Sequence, residues 1–552
     1  MSALTSSFRN KVIYQIYPKS FFDSDGDGVG DLRGAIEKVP YIASLGVDMV
    51  WFNPFFVSPG RDNGYDIANY YEVDPAMGTM ADAEELIDAL AQHNIGVMFD
   101  MVLNHTSTDH EWFQRALAGE REYQDCYIIR DAPQGELPTN WVSKFGGPAW
   151  APFGDTGKYY LHLFDPTQAD LNWHNPKVRE EAANIVNFWR EKGVKGFRFD
   201  VINLIGKEPE LESAPAGVDD RVMYTDGVHV DRFLQELNRR SFGQDEDSVT
   251  VGEMSSTSIE RCVAYSKPDN HELDMVFNFH HLKVDYDHGQ KWSKVPADLR
   301  QLKTILNDWA LGMQDGGGWN ALFWNNHDQP RAIDRFGDAG ELRVESATML
   351  ASVIHLLRGT PFVYQGEEIG MTDPRYTSID DYVDVEALNA YHALVQAGHS
   401  EQRAFEIVHS KARDNSRTPM QWDASEHAGF SSATPWLKPT RQDEINVERE
   451  QSEGKILPFY KRLIELRHEM PVIAEGNYAP HALEHEQVFA YWRLLGQERL
   501  LVLANLTDKP AEVSVPEEML GAEILVHNYE DPKPAASTTL RAYETIALYT
   551  SK

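Results

Sequence analysis

Three acidic side chains follow short β-branched or aromatic runs and are the first candidates for catalysis. Asp200 ends "GFRFD", Glu253 lies in "VTVGEM", and Asp328 follows "ALFWNNH". Acids that meet at one place repel one another, so such a cluster destabilises a fold unless it performs chemistry or is neutralised. Hydrolysis of a glycoside needs this set: a carboxylate that attacks the anomeric carbon, a carboxyl that protonates the leaving oxygen, and negative charge near the oxocarbenium-like transition state.

We assign the three acids different roles. Asp200 is the predicted nucleophile, because Arg198 lies two residues earlier on the same side of the strand and favours the ionised carboxylate. Glu253 is the predicted acid/base, since negative neighbours favour its protonated form near neutral pH. Asp328 is predicted to stabilise the transition state. A solvated strand end or a buried salt bridge would explain each acid alone, but the three together favour catalysis.

Eight runs with the composition of β-strands must position these acids. They span 12–18, 47–54, 96–102, 196–202, 249–254, 273–279, 320–326 and 361–366. Segments with helical spacing lie between most of them, as parallel βα units require. Eight such units predict an α/β fold, a (β/α)8 TIM barrel, in which the carboxyl ends of the strands converge on one mouth. Asn104 and His105 follow the third run and stand at the same kind of position.

Two departures from this alternation predict further domains. Residues 105–174 are rich in Gly, Pro and aromatic residues and too long for an ordinary loop, so we expect a small domain inserted after strand 3. Alternating runs separated by turn residues predict a C-terminal antiparallel β-sandwich over 471–552. The catalytic barrel is then assigned to 1–104 and 175–470.

Composition and charge restrict the functional class. The chain has 552 residues, 42% of them hydrophobic, which is enough for two or three domains with cores. It carries 86 acidic and 51 basic side chains, a net charge of −35, which repels nucleic acids and anionic membrane surfaces. Neither is an expected partner, and an anionic substrate would require a local group of cations.

The compartment is predicted from the cysteines and the N-terminus. Cys126 and Cys262 lie far apart and match no metal or redox spacing, so no disulfide is expected. The segment "MSALTSSFRNKVIYQ" lacks the apolar core of a secretory signal, and no uninterrupted apolar run reaches the roughly 18 residues of a membrane span. We expect a cytoplasmic protein; the sequence leaves the oligomeric state open, with a monomer as the default.

The segment "FFDSDGDGVGDLRG", residues 21–34, has the alternating oxygen ligands that calcium prefers. The candidate ligands are the carboxylates of Asp23, Asp25, Asp27 and Asp31 and the backbone carbonyl of Val29. An EF-hand is disfavoured, because the twelfth position is Gly34 instead of a bidentate glutamate and a predicted strand precedes the loop. A polar turn without a metal remains the alternative.

The segments "DMVLNH", "GFRFDVI", "GEM" and "FWNNHD" resemble, in this order, four signature regions of the α-amylase superfamily, glycoside hydrolase family thirteen. The resemblance implies the same barrel, inserted domain and sandwich. It also implies a retaining mechanism through a covalent glycosyl-enzyme, with nucleophile, acid/base and stabiliser at Asp200, Glu253 and Asp328. The loop at 21–34 resembles one that binds a single structural Ca2+ ion in oligosaccharide-cleaving members.

The same members suggest how one glucose unit is held. "DNGYDI" and "KARDNSRTPMQW" imply that Asp62 and Arg413 pair to close the pocket, so that the enzyme acts from the chain end. The resemblance implies further contacts with this glucose from Tyr65, His105, Arg198 and His327. Arg417 is a weaker candidate, for which a structural ion pair is the preferred explanation.

Val201, directly after Asp200, matches the valine of members that act on α-1,6 links. As a β-branched core residue of a strand it would also be unremarkable.

The segment "FNFHHLKVDYDHGQKWSK", residues 277–294, concentrates cations in an acidic chain. Lys283, Lys291 and Lys294 could bind a phosphate, because a lysine ammonium is a compact charge with three donors. The segment resembles that of trehalose-6-phosphate hydrolases more than that of oligo-1,6-glucosidases. This resemblance implies an exo-acting α-glucosidase that cleaves trehalose 6-phosphate into glucose and glucose 6-phosphate, and in which the lysines bind the phosphate of the leaving group. A solvated lysine face is the alternative, and it applies best to Lys294.

Other functions stay open at this point. An oligo-1,6-glucosidase or general α-glucosidase acting on isomalto-oligosaccharides is the main alternative, and a transglycosylase or isomerase would keep the same fold. A non-catalytic accessory protein of amino-acid transporters also shares the fold. It is disfavoured, because the three acids are present and no membrane anchor is seen.

Overall fold

The computed structural model describes residues 8–132 and 135–551. All eight predicted runs form strands, each shorter than the run that predicted it. The strands are β1 (Ile13–Ile16), β2 (Met49–Phe52), β3 (Gly96–Met101), β4 (Gly196–Phe199), β5 (Val249–Glu253), β6 (Met275–Phe277), β7 (Ala321–Leu322) and β8 (Thr360–Tyr364).

These strands belong to one sheet in the order β6-β5-β4-β3-β2-β1-β8-β7. The pairs β3–β4, β4–β5, β5–β6, β1–β8 and β7–β8 are parallel. The strands β1 to β6 are successive neighbours, as are β7 and β8, and β8 lies beside β1, which is the order of a (β/α)8 barrel. The predicted TIM barrel is therefore confirmed.

Helices separate most of the strands, as the helical spacing predicted. They are α1 (Leu32–Glu37), α2 (Val39–Leu45), α3 (Met80–Ala91), α4 (Glu111–Leu117), α5 (Arg121–Gln124), α6 (Pro176–Glu191), α7 (Val230–Arg240), α8 (Ile259–Ser266), α9 (Leu299–Gly316), α10 (Ala332–Phe336), α11 (Arg343–His355), α12 (Val385–Gln396), α13 (Glu401–His409), α14 (Asp414–Arg417), α15 (Val447–Ser452), α16 (Ile456–Glu469) and α17 (Pro471–Glu475). The helix before β4 shows why the sequence forms them. Asn175 caps the N-terminus of α6, a proline occupies its first turn, and Val178, Ile185 and Trp189 are buried on one face.

The chain divides into two compact units. The first comprises Met1–Val50, His93–Ile95 and His280–Lys552, and the second comprises Trp51–Gln92 and Gly96–Phe279. The second unit contains β3 to β6 and the predicted insertion. The first contains β1, β7, β8 and the C-terminal strands. The predicted boundaries at 104/105, 174/175 and 470/471 stay predictions.

The insertion forms two small antiparallel sheets in the second unit. Lys158–Leu161 pairs with Ile129–Asp131 and Trp150–Pro152, and His105–Ser107 pairs with Gln168–Asp170. Its aromatic residues Trp141 and Trp150 share a buried core with Val201, Leu204 and Tyr224. The insertion therefore packs against the segment that directly follows the predicted nucleophile.

The C-terminal part contains two antiparallel sheets in the first unit. The strands are β9 (Asn477–His481), β10 (Val488–Leu495), β11 (Glu498–Asn505), β12 (Ala511–Ser514), β13 (Glu523–His527), β14 (Ser537–Leu540) and β15 (Thr545–Thr550). One sheet has the order β9-β10-β11-β15-β13, and β12 pairs with β14. Leu501 and Ile546 of the larger sheet share one core with Val513 and Leu540 of the smaller, so the predicted sandwich is observed.

Within residues 8–132 and 135–551, none of the helices combines the length and the apolar character that crossing a bilayer demands. Both cysteines, Cys126 and Cys262, are buried and have free thiols.

Candidate active site

Arg198 on β4 joins three carboxylates in the second unit. Its Nη1 donates to Asp100 Oδ1 at 2.6 Å and to Asp200 Oδ1 at 2.7 Å, and its Nη2 contacts Glu253 Oε2. The parallel register places Arg198 opposite Asp100 of β3, and side chains two residues apart on a strand share a side. One guanidinium therefore holds both the predicted nucleophile and the predicted acid/base.

The environment of Glu253 differs in one respect from the sequence expectation. Negative neighbours were expected to raise the pKa of this side chain, whereas the structure also places it against the guanidinium of Arg198. A cation at contact distance favours an ionised carboxylate. A proton donor at this position has to separate from Arg198.

Asp100 belongs to this site and was not among the predicted site residues. Its Oδ2 accepts hydrogen bonds from Tyr65 at 2.9 Å and from Trp51 at 3.2 Å. Burial raises the pKa of Asp100 to about 6, against the opposing effect of Arg198. A lone acid inside the apolar strand "GVMFDM" is the signal that could have identified it.

Gln168 brings three predicted glucose-binding residues together in the second unit. Its Nε2 donates to Asp62 Oδ2 at 3.1 Å, and it lies 3.3 Å from His105 Nε2. His105 Nε2 lies 3.2 Å from the backbone oxygen of Tyr65. Burial lowers the pKa of His105 to about 4, so this imidazole is neutral at physiological pH. Gln168 stands on the inserted strand that pairs with His105–Ser107, a long-range pairing that sequence reasoning missed.

Val201 has a left-handed backbone, with φ 36° and ψ 40°. The interpretation of Val201 as an unremarkable strand residue is wrong, because β4 ends at Phe199 and Val201 begins a turn. A β-branched residue at positive φ is strained, and such strain is found mainly at functional sites. The chain therefore turns sharply directly after Asp200.

Asp328 lies among three basic side chains of the first unit. Arg417 Nη2 is 2.7 Å from Asp328 Oδ1, Arg413 Nη1 is 3.4 Å from the same oxygen, and His327 Nε2 is 3.2 Å from Oδ2. Arg417 thus forms the ion pair that was its preferred explanation, and its partner is the predicted stabiliser. The side chain of Asp328 is 29% exposed, whereas those of Arg413 and Arg417 are buried.

Asp384 supports both arginines and was missed in the sequence. Its Oδ1 and Oδ2 accept from Arg413 Nη2 at 2.6 Å and Nε at 3.1 Å, and Arg417 Nη1 lies 3.5 Å away. Burial alone would raise the pKa of Asp384, but Arg413 and Arg417 lower it, so the carboxylate is ionised. The described partners of Arg413 are Asp384, Asp328 and Glu386, and its pairing with Asp62 stays a prediction.

The three predicted phosphate-binding lysines differ in their surroundings. Lys291 Nζ lies 2.7 Å from both carboxylate oxygens of Glu386, and Glu386 Oε2 lies 3.4 Å from Arg413 Nε. Lys291 is therefore connected to Asp328 through Glu386 and Arg413. Lys294 is exposed and lies 3.9 Å from Glu406. Lys283 is half-buried at the end of the short turn His280–Lys283.

Two buried cations share the carboxylate of Asp285, which lies within the predicted lysine segment. Arg335 Nη2 is 2.7 Å from Asp285 Oδ1, and Lys411 contacts Asp285 Oδ2. Burial would raise the pKa of Asp285, but Arg335 and Lys411 lower it. Burial and Asp334 raise the pKa of Asp373, which interacts with Lys411, and burial lowers the pKa of Lys411. Two basic side chains from outside the segment therefore face the single carboxylate of Asp285.

The acidic loop brings together three of the predicted calcium ligands. Carboxylate oxygens of Asp23, Asp25 and Asp27 lie within 4.8 Å of one another. Asp27 raises the pKa of Asp25, which is the sign of a repulsion that a divalent cation would relieve. Asp31 instead caps α1, accepting from Gly34 N at 2.6 Å. Ligation by Asp31 and by the Val29 carbonyl stays a prediction.

Comparison with known proteins agrees with this geometry. Residues 15–476 match the family described as alpha amylase, catalytic domain, and residues 488–547 match alpha-amylase SusG C-terminal domain. Trehalose-6-phosphate hydrolase of Bacillus subtilis is 48% identical, with 99% of this chain and 99% of the relative covered. Oligo-1,6-glucosidase of Bacillus cereus is 42% identical, with 98% of both chains covered.

A solved structure is similar over the same length. The crystal structure of trehalose-6-phosphate hydrolase from Bacillus licheniformis has a TM-score of 0.94 and 48% identity, and covers 99% of this chain and 100% of that one. Two predictions are confirmed: the resemblance of the four motifs to the α-amylase superfamily, and the assignment to the glycoside hydrolases. The chain therefore belongs to the alpha-amylase family.

Proposed function

We propose that the chain is a retaining, exo-acting α-glucosidase that hydrolyses trehalose 6-phosphate to glucose and glucose 6-phosphate. The observation that carries the proposal is the 48% identity, over 99% of both chains, to an enzyme named trehalose-6-phosphate hydrolase. The two basic side chains at Asp285, Arg335 and Lys411, support it, because an anionic substrate must approach a protein with a net charge of −35.

In the first step Asp200 attacks the anomeric carbon of the non-reducing glucose. The glycosidic bond breaks as Glu253 transfers its proton to the leaving oxygen, which releases glucose 6-phosphate and leaves a covalent glycosyl-enzyme. Arg198 contacts both acids, and this supports a retaining mechanism, in which the two carboxyl groups lie only about 5 Å apart. Glu253 has to separate from Arg198 and be protonated before it can act.

In the second step water hydrolyses the glycosyl-enzyme. Glu253, now a carboxylate, accepts a proton from the water, and the water oxygen displaces Asp200, so the product keeps the original anomeric configuration. The renewed contact between Glu253 and Arg198 favours this charged state. One residue thus alternates between acid and base.

The remaining predicted residues bind and stabilise. Asp328, paired with Arg413 and Arg417, opposes the positive charge that develops on the sugar ring. We assign glucose binding to Asp62, Tyr65, His105, Arg198, His327 and Arg413. The neutral imidazole of His105 can exchange hydrogen bonds with sugar hydroxyls without adding charge.

The leaving-group phosphate is assigned to Lys283, Lys291 and Lys294. Lys291 has the strongest support, since its ion-pair network reaches Asp328 through three contacts. One charge-assisted hydrogen bond to phosphate contributes about 1.5–3 kcal/mol. Lys294 has the weakest support because it is exposed.

We also propose a structural Ca2+ ion held by Asp23, Asp25, Asp27, Asp31 and the Val29 carbonyl. The ion would neutralise the acidic loop and take no part in the reaction. A monomer in the cytoplasm, with the sugar phosphate as its partner, completes the proposal. The two buried free thiols, Cys126 and Cys262, suit a reducing compartment.

A substrate panel tests the function. Trehalose 6-phosphate, trehalose and isomaltose are compared by kcat/KM, and the phosphorylated disaccharide is expected to be cleaved fastest. Faster cleavage of isomaltose would instead establish the oligo-1,6-glucosidase alternative, which the 42% identity to the Bacillus cereus enzyme favours. Following the reaction by NMR should show the α-anomer of glucose first. Transfer or isomerisation products would contradict hydrolysis.

A further inference from the structure

We propose that Glu386 is the counter-ion that the substrate phosphate displaces from Lys291, and that this exchange limits the affinity for phosphorylated substrates. The inference rests on the proposed function and adds a specificity-determining residue to it. It follows from the ion pair between Lys291 and Glu386, from the pair between Asp384 and Arg413, which does not depend on Glu386, and from the cations that share Asp285.

Lys291 is already neutralised by Glu386. Both carboxylate oxygens lie 2.7 Å from the ammonium nitrogen, so one carboxylate accepts two of its three possible hydrogen bonds. The Lys291 and Glu386 side chains are 24% and 12% exposed, so the pair is reached by solvent. A phosphate can gain the full charge of Lys291 only when Glu386 yields its place.

Glu386 is not required to orient Arg413. Asp384 binds Arg413 through two hydrogen bonds of 2.6 and 3.1 Å and is almost completely buried. The contact between Glu386 and Arg413 is longer, at 3.4 Å. Loss of Glu386 would therefore leave Arg413 in place beside Asp328, and the specific partner of Glu386 is Lys291.

A phosphate competes well for this cation. It carries a charge of about −1.5 to −2 and three acceptor oxygens, whereas a carboxylate carries a single charge and two oxygens. Arg335 and Lys411 add to the local positive potential, because they share one acid, Asp285. A sugar without phosphate offers nothing that replaces Glu386. The exchange therefore takes place only with a phosphorylated leaving group, and it lowers the affinity for that group.

Isothermal titration with glucose 6-phosphate and with glucose tests the proposal. Removal of the competing charge in Glu386→Gln should lower the Kd for glucose 6-phosphate about fivefold and leave the affinity for glucose unchanged. Glu236→Gln is the matched control: Glu236 also bridges two cations, Arg179 at 2.7 Å and Arg240 at 2.9 Å, and should show no change. Unchanged or weaker glucose 6-phosphate binding in Glu386→Gln would overturn the proposal.

The double variant Lys291→Met/Glu386→Gln shows whether the effect acts through the lysine. It should bind glucose 6-phosphate as weakly as Lys291→Met alone, because no cation remains to be released. If Glu386→Gln still increased the affinity for glucose 6-phosphate when Lys291 is absent, the mechanism would be overturned. Circular dichroism and thermal unfolding verify that each variant is folded. Failure of the proposed function is a separate result: the wild type would then not cleave trehalose 6-phosphate at all.

Discussion

Arg417 Nη2 lies 2.7 Å from Asp328 Oδ1, and Arg417 Nε donates to the backbone oxygen of His327 at 2.7 Å. One buried guanidinium therefore fixes both the carboxylate and the backbone directly before it. The arginine is not only a charge partner, because its two bonds define the direction in which Asp328 points. A flexible cation would supply the charge without this direction.

Replacement of Arg417 tests this relationship. Arg417→Lys keeps the charge but loses the two-pronged geometry, so we expect kcat on trehalose 6-phosphate to fall by about 10- to 100-fold, with KM less affected. Arg300→Lys is the control, since Arg300 forms an exposed pair with Glu486 at 2.9 Å. Equal kcat values for Arg417→Lys and wild type would show that charge alone is sufficient.

The roles of Asp200 and Glu253 can be separated by the leaving group. Asp200→Asn should lower kcat by at least about 1,000-fold on every substrate, because no nucleophile remains. Glu253→Gln should be similarly slow on trehalose 6-phosphate, yet much faster in forming the glycosyl-enzyme from 4-nitrophenyl α-glucoside, whose leaving group needs no proton. Stopped-flow release of nitrophenol measures this step. Equal losses on both substrates would contradict the assignment of Glu253 as the acid.

The barrel was predictable because strand patterns are local. Asp200 and Arg198 were found together because they are two residues apart on one strand, a relation that the sequence displays directly. Asp384 could not be found in this way. It binds Arg413 from 29 residues away, across two helices and their loop. Gln168 reaches Asp62 over 106 residues, and neither pairing leaves a periodic trace in the sequence.

Backbone conformation was the other limit. The residues around Val201 read as a continuous strand, since β-branched and aromatic side chains alternate there. The insertion packs against this segment through a shared apolar core, and the chain leaves the strand after Phe199. Tertiary packing therefore overrides local preference at the residue that follows the predicted nucleophile.

Glu272 should make stability fall as pH rises. Burial raises the pKa of this carboxyl to about 8, with a further contribution from Asp231. The pKa of the carboxyl in the unfolded chain is the ordinary glutamate value of 4.5, so between about pH 4.5 and 8 the folded state holds the proton more tightly. The stabilisation that the protonated Glu272 carboxyl gives the folded state is complete below pH 4.5 and is lost as pH rises towards 8. Glu272→Gln should remove this loss.

Urea unfolding at pH 5 and pH 8 measures the effect of Glu272→Gln. The free energy of unfolding of the variant, relative to wild type, should increase from pH 5 to pH 8. Glu518→Gln provides a comparison at an exposed position, where no such trend is expected. A relative stability that is independent of pH would show that Glu272 titrates normally in the folded protein.

Calcium should invert the effect of Asp25→Asn on stability. Without the ion, the substitution removes the repulsion from Asp27 that raises the pKa of Asp25, so the variant should melt at the same temperature as wild type or higher. With excess calcium it should melt lower, because it has lost a ligand. Thermal unfolding in EDTA and in calcium distinguishes these states. Identical melting shifts in both buffers would contradict the site.

Val201 allows a direct test of backbone strain. At φ 36° glycine is unstrained, whereas alanine keeps the penalty that valine bears. Val201→Gly should therefore be more stable than Val201→Ala by about 1 kcal/mol, although both lose the same apolar packing. The order should reverse at Val186, a buried residue of α6, where glycine is less stable than alanine by about 1 kcal/mol. Urea unfolding of the four variants gives both differences. The two sites differ in backbone conformation, so Val186 serves as the helical reference. If Val201→Ala were more stable than Val201→Gly, the left-handed turn after Asp200 would be absent in solution.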